Sequence, residues 1–353
     1  MDYPSILSQA WRQHLAPRAA DAPTVVSTFA GAGGSSLGYS MAGYRELLAV
    51  EWDDHAVTCF RRNFPDVPVH HGDIAKVDPD VLGLKPGDLD VLDGSPPCQG
   101  FSMAGRRQLN DPRNQLFREY VRLLDAWQPK TFVMENVAGM VRGHMKHLFA
   151  EILTALKNAG PGYRVVARLV DASLLGVPQI RQRMIFVGVR SDLGLDPVHP
   201  RPTTRPIPLR QAFRNITDHG PILKPERKAA VLAPLICPGK DGADVLSARG
   251  ARRAYYSIQR AHWDRPCYTL IKTLSPTRTG ILHPTEHRFL SAREICRIQS
   301  IPDEYDWGDS TLKEIWARVG NSVPPLMMRA IATTIRDQIL IPARQMTSAR
   351  QVA

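Results

Sequence analysis

The chain has 353 residues, a formal charge of +11 and five cysteines. That length supports a sizeable core and about two domains, and the ordinary composition excludes wholesale disorder. No apolar run nears the ~20 residues of a membrane span, and Cys59, Cys98, Cys237, Cys267 and Cys296 are scattered without a C-x-x-C pair, which excludes a disulfide framework or a zinc site. The positive excess suits a polyanionic partner, of which nucleic acid is the commonest. Residues 1–22 carry no basic segment followed by an apolar run, so an intracellular, cytoplasmic protein is expected.

After a polar, helical leader, Thr24 to Phe29 reads as a short buried strand running into Ala30-Gly31-Ala32-Gly33-Gly34-Ser35-Ser36-Leu37-Gly38. Leu47 to Val50 predicts a second strand that ends at Glu51-Trp52-Asp53, and a helix follows over 54–63. Gly72-Asp73-Ile74 closes a third strand-like piece, and Leu89 to Asp93 is the fourth. Leu116, Phe117, Tyr120, Val121, Leu123, Leu124 and Trp127 recur at helical spacing, with Arg118, Glu119 and Arg122 on the opposite face. Thr131 to Met134 is a buried strand capped by Glu135-Asn136, Leu148 to Leu156 an amphipathic helix, and 164–170 and 184–189 two further strands. Strands alternating with helices predict a doubly wound, mostly parallel α/β sheet with ligands at the carboxyl ends of its strands.

The texture changes after Arg190. Pro197, Pro200, Pro202, Pro206 and Pro208 crowd in, and basic residues interleave with Tyr255, Tyr256, His262, Trp263 and Tyr268. The expected organisation is a first domain over 1–190, completed by a C-terminal helix over 318–342. A second, smaller, irregular or β-rich domain covers 191–293, a supporting hinge 294–317, and a flexible tail 343–353.

Two stretches carry chemistry. The glycine-rich turn joins a strand to a helix, where backbone N–H groups can face a ligand. It is not a dinucleotide fingerprint, because the third glycine of G-x-G-x-x-G is replaced by Ser36. Glu51 lies 20 residues after Gly31 and can accept from both ribose hydroxyls. Trp52 can stack on an adenine, and Asp73 can accept from its amine. An adenosine ligand with little or no phosphate fits, with S-adenosylmethionine leading. The second stretch is Asp93-Gly94-Ser95-Pro96-Pro97-Cys98-Gln99-Gly100. Its prolines stop the strand and leave Cys98 on a stiff loop at the strand's carboxyl end, the place for a nucleophile.

The glycine-rich turn, Glu51-Trp52, Asp73, Gly94-Ser95-Pro96-Pro97-Cys98-Gln99, Glu135-Asn136-Val137, Gln179-Ile180-Arg181-Gln182-Arg183 and Gly320-Asn321-Ser322-Val323-Pro324 follow in one order. Together they resemble the cytosine-C5 DNA methyltransferases over nearly the whole chain apart from the leader, the tail and the Pro-rich middle. The resemblance implies the S-adenosylmethionine-dependent methyltransferase fold, and a target-recognition domain in the variable middle. It makes Cys98 the nucleophile that adds to cytosine C6. Glu135, whose carboxyl burial can keep protonated, would contact N3 and the exocyclic amine. Arg181 and Arg183, alternating with Gln182 on a strand and so sharing a face, enter the active site, Arg183 near the cytosine O2 and Arg181 supporting the loop. The cofactor pocket implied comprises Phe29, Ala30, Gly31, Gly33, Gly34, Ser36, Leu37, Glu51, Trp52, Asp73, Ile74, Pro97, Asn321 and Ser322, without a metal.

The target atom is inaccessible inside a duplex, so the base must flip out. Gln99 to Asn114 is read as a loop that closes over it, with Ser102, Arg106 and Arg107 beside Gln99 as DNA contacts. Thr269-Leu270 resembles the short threonine motif of family recognition domains. The partner expected is double-stranded DNA, with a restriction endonuclease acting separately and the enzyme monomeric. Three rivals remain: methylation of cytosine in transfer RNA, a silent DNA-binding regulator, and an NAD oxidoreductase. The intact Cys98, Glu135, Arg181 and Arg183 oppose the second, and Ser36 weakens the third.

Overall fold

The computed structural model describes residues 2–97, 116–141, 145–248 and 257–352. In chain order the first elements are α1 (Tyr3–Leu15), β1 (Thr24–Thr28), α2 (Gly34–Met41), β2 (Arg45–Glu51), α3 (Asp54–Asn63), β3 (Val69–His71) and β4 (Val91–Gly94). Then come α4 (Leu116–Trp127), β5 (Thr131–Val137), α5 (Met145–Asn158), β6 (Tyr163–Asp171) and β7 (Gln182–Arg190). Two compact units result, both discontinuous in sequence. One, the sheet unit, is Gln13–Asp171, Gln182–Arg201 and Met327–Ala353; the other, the loop-rich unit, is Met1–Arg12, Ala172–Arg181 and Pro202–Leu326.

The seven strands of the sheet unit lie in the order β3-β2-β1-β4-β5-β7-β6. Strands β1 to β5 pair in parallel, whereas β7 runs antiparallel to both β5 and β6. A parallel sheet is covered on both faces, which is why its strands read as continuous apolar runs rather than alternating ones. Val91 and Leu92 of β4 and Phe132 and Val133 of β5 are accordingly buried. Crowding between β5 and β7 is relieved by Gly188, where an added Cβ would stand 2.0 Å from the Phe132 ring. The order reverses between β1 and β4, since β2 and β3 lie on one side and β5 on the other. That switch point is where an open α/β sheet takes its ligand.

The C-terminal part of the sheet unit is α11 and α12, named here after the helices of the loop-rich unit: α6 (Leu209–Ala212), α7 (Lys228–Leu232), α8 (Gly242–Ala248), α9 (Ala292–Ile298) and α10 (Leu312–Asn321). Helix α11 (Pro325–Ile335) passes through a π-helical turn, Arg336–Leu340, into α12 (Ile341–Val352). The expected single helix over 318–342 is therefore two, because Pro324 and Pro325 end α10 and begin α11. The expected tail is also corrected: 341–352 is helical, and Arg344 donates to the Asp21 carbonyl at 2.6 Å and to Asp90 at 3.1 Å.

In the loop-rich unit the described strands are β8 (Ser257–Arg260) and β9 (Thr279–Leu282), a parallel pair. Of the irregular or β-rich character expected, the described residues show the irregular form, and Pro202, Pro206 and Pro208, which withhold ladder donors, lie in a stretch without strands. Loop carbonyls still need donors when buried, and arginine, with five N–H groups, supplies them. Buried Arg260 donates to the carbonyls of Ala233, Ile236, His283 and Glu286. Buried Arg297 donates to those of Ala212 and Arg214 and pairs with Asp303. Part of the positive charge read as a nucleic-acid signal is thus internal scaffolding. Segment 294–317, expected as a hinge, contributes buried Ile295, Ile298, Leu312, Ile315 and Trp316 to this unit.

Candidate active site

Strand β1 ends at Thr28, and Phe29 turns the chain with a φ of 55°, a left-handed conformation that a bulky residue holds only under constraint. Gly31 and Gly33 follow with φ of 57° and 80°. A Cβ on Gly33 would meet the Phe64 ring at 2.4 Å, whereas one on Gly31 would meet nothing within 4 Å. The loop is packed from behind at Gly33 and open in front at Gly31. Glu51, ending β2, organises this rim. Its Oε2 accepts from the Gly31 N–H at 2.7 Å, and its Oε1 from the Trp52 and Asp53 N–H groups at 2.9 Å. Trp52 beside it is 78% exposed, far more than a large aromatic ordinarily is. Asp73 is exposed and caps a short 3₁₀ turn through the Ala75 N–H, with Ile74 buried beneath.

Two residues expected at the cofactor face the core instead. Ser36 is fully buried and its hydroxyl donates to Glu46 Oε1 at 2.8 Å. Leu37 is fully buried, and its N–H is bonded to the Gly33 carbonyl at 2.8 Å. Both support the loop from behind, in a helix whose residues are all buried. Ala30, Ala32 and Gly34 are buried in the same turn.

Strand β4 delivers the Pro-Pro loop. A Cβ on Gly94 would fall 2.3 Å from Thr28 Oγ1 and 2.7 Å from the Tyr120 ring, so the strand end is clamped from both sides. Tyr120 donates its hydroxyl toward the carbonyls of Leu92 and Val133, tying β4 to β5. Asn136, buried at the end of β5, donates to the Pro96 carbonyl at 3.1 Å and fixes the loop before Pro97. Cys98, Gln99, Ser102, Arg106 and Arg107 lie outside the described residues.

Glu135, one residue before Asn136, forms an ion pair with Arg183, Nε to Oε1 at 2.7 Å. Their strands are antiparallel neighbours in which Val137 faces Arg183 and Glu135 faces Ile185, so the pair is a diagonal contact on one face. Glu135 was expected in surroundings that keep it protonated; its carboxyl instead meets a guanidinium, with both side chains 12–13% exposed.

Arg181 was expected to share a face with Arg183. Strand β7 begins at Gln182, so the alternation does not reach it. Arg181 belongs to the loop-rich unit, where its buried guanidinium donates to the carbonyls of Leu270 at 2.9 Å, Gly320 at 2.9 Å and Ser322 at 3.0 Å. It thus ties together Thr269-Leu270 and Gly320-Asn321-Ser322. Residues that sequence reasoning missed complete this knot. Gln179 donates to Gln299 Oε1 at 2.6 Å, Gln299 donates to the Ser322 carbonyl at 2.6 Å, and Trp316 donates to the Ile271 carbonyl at 3.0 Å. Thr269 is exposed and its hydroxyl donates to the Ile180 carbonyl at 2.6 Å. Gln179 stood inside the quoted motif; Gln299 and Trp316 carried no pattern that distinguished them.

The mostly parallel α/β sheet thus carries, at its switch point, a glycine turn, a carboxylate bonded to that turn and a clamped strand-end loop. Residues 24–337 match the C-5 cytosine-specific DNA methylase family. Over 338 residues the chain is 33% identical to the Type II methyltransferase M1.HphI of Haemophilus parahaemolyticus, covering 88% of this chain and 86% of that protein. It is 33% identical over 331 residues to the Type II methyltransferase M.NgoFVII of Neisseria gonorrhoeae, covering 89% and 86%. A crystal structure of Spodoptera frugiperda DNMT2 superposes with a TM-score of 0.64 at 19% identity, over 92% of this chain and 100% of that one, a likeness of fold. The chain belongs to the C-5 cytosine-specific DNA methylase family. It is a DNA (cytosine-5-)-methyltransferase.

Proposed function

We propose that the enzyme transfers a methyl group from S-adenosylmethionine to C5 of a cytosine flipped out of a specific double-stranded DNA sequence, through a covalent adduct between Cys98 and C6. The observation that carries this reading is the convergence at the ends of β4 and β5. Asn136 holds the Pro96 carbonyl, two residues before Cys98, while Glu135 is set against Arg183. The donor pocket also fits. The open space at Gly31, the Glu51 carboxylate beside it, exposed Trp52 and exposed Asp73 suit a ribose and an adenine without phosphates.

In this reading Phe29, Ala30, Gly31, Gly33 and Gly34 shape the pocket, Glu51, Trp52 and Asp73 hold the nucleoside, and Pro97 borders the methyl. The Cys98 thiolate adds to C6 of the flipped base, and electron density moves to C5 and N3. Glu135, positioned by Arg183, meets N3 and the exocyclic amine, and Arg183 attends O2. S-adenosylmethionine, when bound, supplies an electrophilic methyl on a sulfonium, taken up at C5 with release of S-adenosylhomocysteine. Removal of the C5 proton expels the cysteine sulfur from C6 and restores the aromatic ring. Gln99, Ser102, Arg106 and Arg107 contact DNA from the loop after Cys98, and Thr269 from a recognition region over 191–293. The relatives' Type II designation supports sequence-specific modification; in this reading the enzyme acts as a monomer in the cytoplasm, beside a separate restriction endonuclease.

The experiment is tritiated-methyl transfer to a panel of DNA and transfer RNA, followed by bisulfite sequencing, with Cys98→Ala alongside. The expected result is incorporation into duplex DNA at one sequence. Cys98→Ala loses transfer but still binds donor. Turnover by Cys98→Ala, or incorporation into transfer RNA alone, would refute the proposal.

A further inference from the structure

Two carboxyls of the sheet unit, fully buried Asp93 and half-buried Glu46, have no cation paired to either among the described residues, and both sit under the first turn of α2. Ser36 donates to Glu46, and Ser35 donates to Asp93 Oδ2 at 2.5 Å. Asp93 also accepts from the Tyr39 hydroxyl at 3.3 Å. Its place in the chain is telling. It immediately precedes Gly94 and the Pro-Pro loop, while its carboxyl reaches the turn that follows the glycine-rich loop. It therefore lies behind both walls of the proposed donor pocket. A buried carboxyl normally has a partner cation, because an isolated one is strongly disfavoured. Here the described structure supplies only hydroxyls, which can serve either protonation state.

We propose that Asp93 is the counter-charge for the sulfonium of the methyl donor, so that the donor is held more tightly than the uncharged thioether product. This rests on the donor reading above. Burial pushes the Asp93 carboxyl up to about 7, against the hydrogen bonds from Ser35 and Tyr39 that lower it. Glu135, ion-paired with Arg183 on the neighbouring strands, raises it a little further. Glu46, likewise pushed up to about 7 by burial, is the other acid under this turn. Tyr39 on α2 and Tyr120 on α4 are raised well above the usual phenol range by burial and stay neutral. A cation arriving near Asp93 favours its ionised form, and by linkage ionised Asp93 favours the cation. After methyl transfer the sulfur loses its charge, and with it this attraction.

The test is calorimetric binding of S-adenosylmethionine and S-adenosylhomocysteine to the whole enzyme, without DNA, from about pH 6 to about pH 8. The wild type should gain on the order of fivefold affinity for the donor across that range, and none for the product. Asp93→Asn, which keeps the shape but cannot ionise, should lose that gain; the donor's own titration is common to both proteins. Ser35→Ala removes a hydrogen bond to the ionised carboxylate, so the midpoint of the donor's pH dependence should move upward. Glu46→Gln should keep the difference between donor and product. Equal slopes for the two ligands in the wild type would overturn the proposal. So would a wild-type slope in Asp93→Asn, an unmoved midpoint in Ser35→Ala, or loss of the difference in Glu46→Gln. Failure of both ligands to bind the wild type would instead sink the donor reading itself.

Discussion

Replacing Arg181 is the sharpest test of how the loop-rich unit is held. Its guanidinium donates to three carbonyls, of Leu270, Gly320 and Ser322. Hydrogen bonds from a charged donor contribute about 1.5–3 kcal/mol each, and removing one partner leaves the other buried and unpaired. Arg181→Met keeps most of the apolar volume and removes all three bonds. Allowing for relaxation, the expected loss is on the order of 4 kcal/mol. Arg181→Lys places one ammonium where a planar fork stood and should recover less than half of this. The assay is urea unfolding combined with amide hydrogen exchange over 269–272 and 319–323. The exchange should accelerate there first, because Gly320 packs directly on the backbone of Ile271 and Lys272. A loss below about 1 kcal/mol in Arg181→Met, with unchanged exchange over those segments, would refute the reasoning.

Gly188→Ala should destabilise the sheet unit by about 1–3 kcal/mol or more, measured by urea unfolding, since its Cβ overlaps the Phe132 ring. His14 is buried with its pKa lowered to about 4 by burial, Nδ1 facing Ser40 and Nε2 facing the Asn63 carbonyl. A histidine depressed in the folded state contributes stability that is present above its ordinary value near 6.5 and is lost as pH falls toward 4. Thermal unfolding of His14→Gln should therefore show a shallower decline over that interval than the wild type; parallel curves would contradict the assignment.

The strands of the sheet unit were legible because a doubly covered parallel sheet makes apolar runs that need no partner to be recognised. The direction of β7 was not, since a buried run looks the same in either orientation. The same limit explains Arg181: alternation carries side-chain parity only while the strand lasts, and this strand starts one residue later. Glu51 and Trp52 stood out because the apolar run of β2 stops at them; the structure buries Glu51 against the glycine turn and leaves Trp52 exposed. Ser36 and Leu37 were drawn in by their place in the glycine-rich motif, and their burial depends on packing of α2 that the motif does not show. Asp93 stood in the stretch that ends β4 but was given only the task of ending it. Its burial depends on Ser35 and Tyr39, more than 50 residues earlier, and separation of that kind leaves no local trace.

The sheet unit is made of three separate stretches of chain, and the last of them begins at Met327. Tyr44 donates to the Ala332 carbonyl, Arg336 to that of Ala42, and Arg344 to Asp21 and Asp90. Ribosomal synthesis is vectorial, so β1 to β5 emerge long before the helices that cover them. Contacts this distant in sequence slow folding and leave apolar surface waiting. The nascent enzyme should therefore depend on chaperones until residues near 340 have left the ribosome, and the loop-rich unit, mostly complete by Leu326, has the opportunity to fold first.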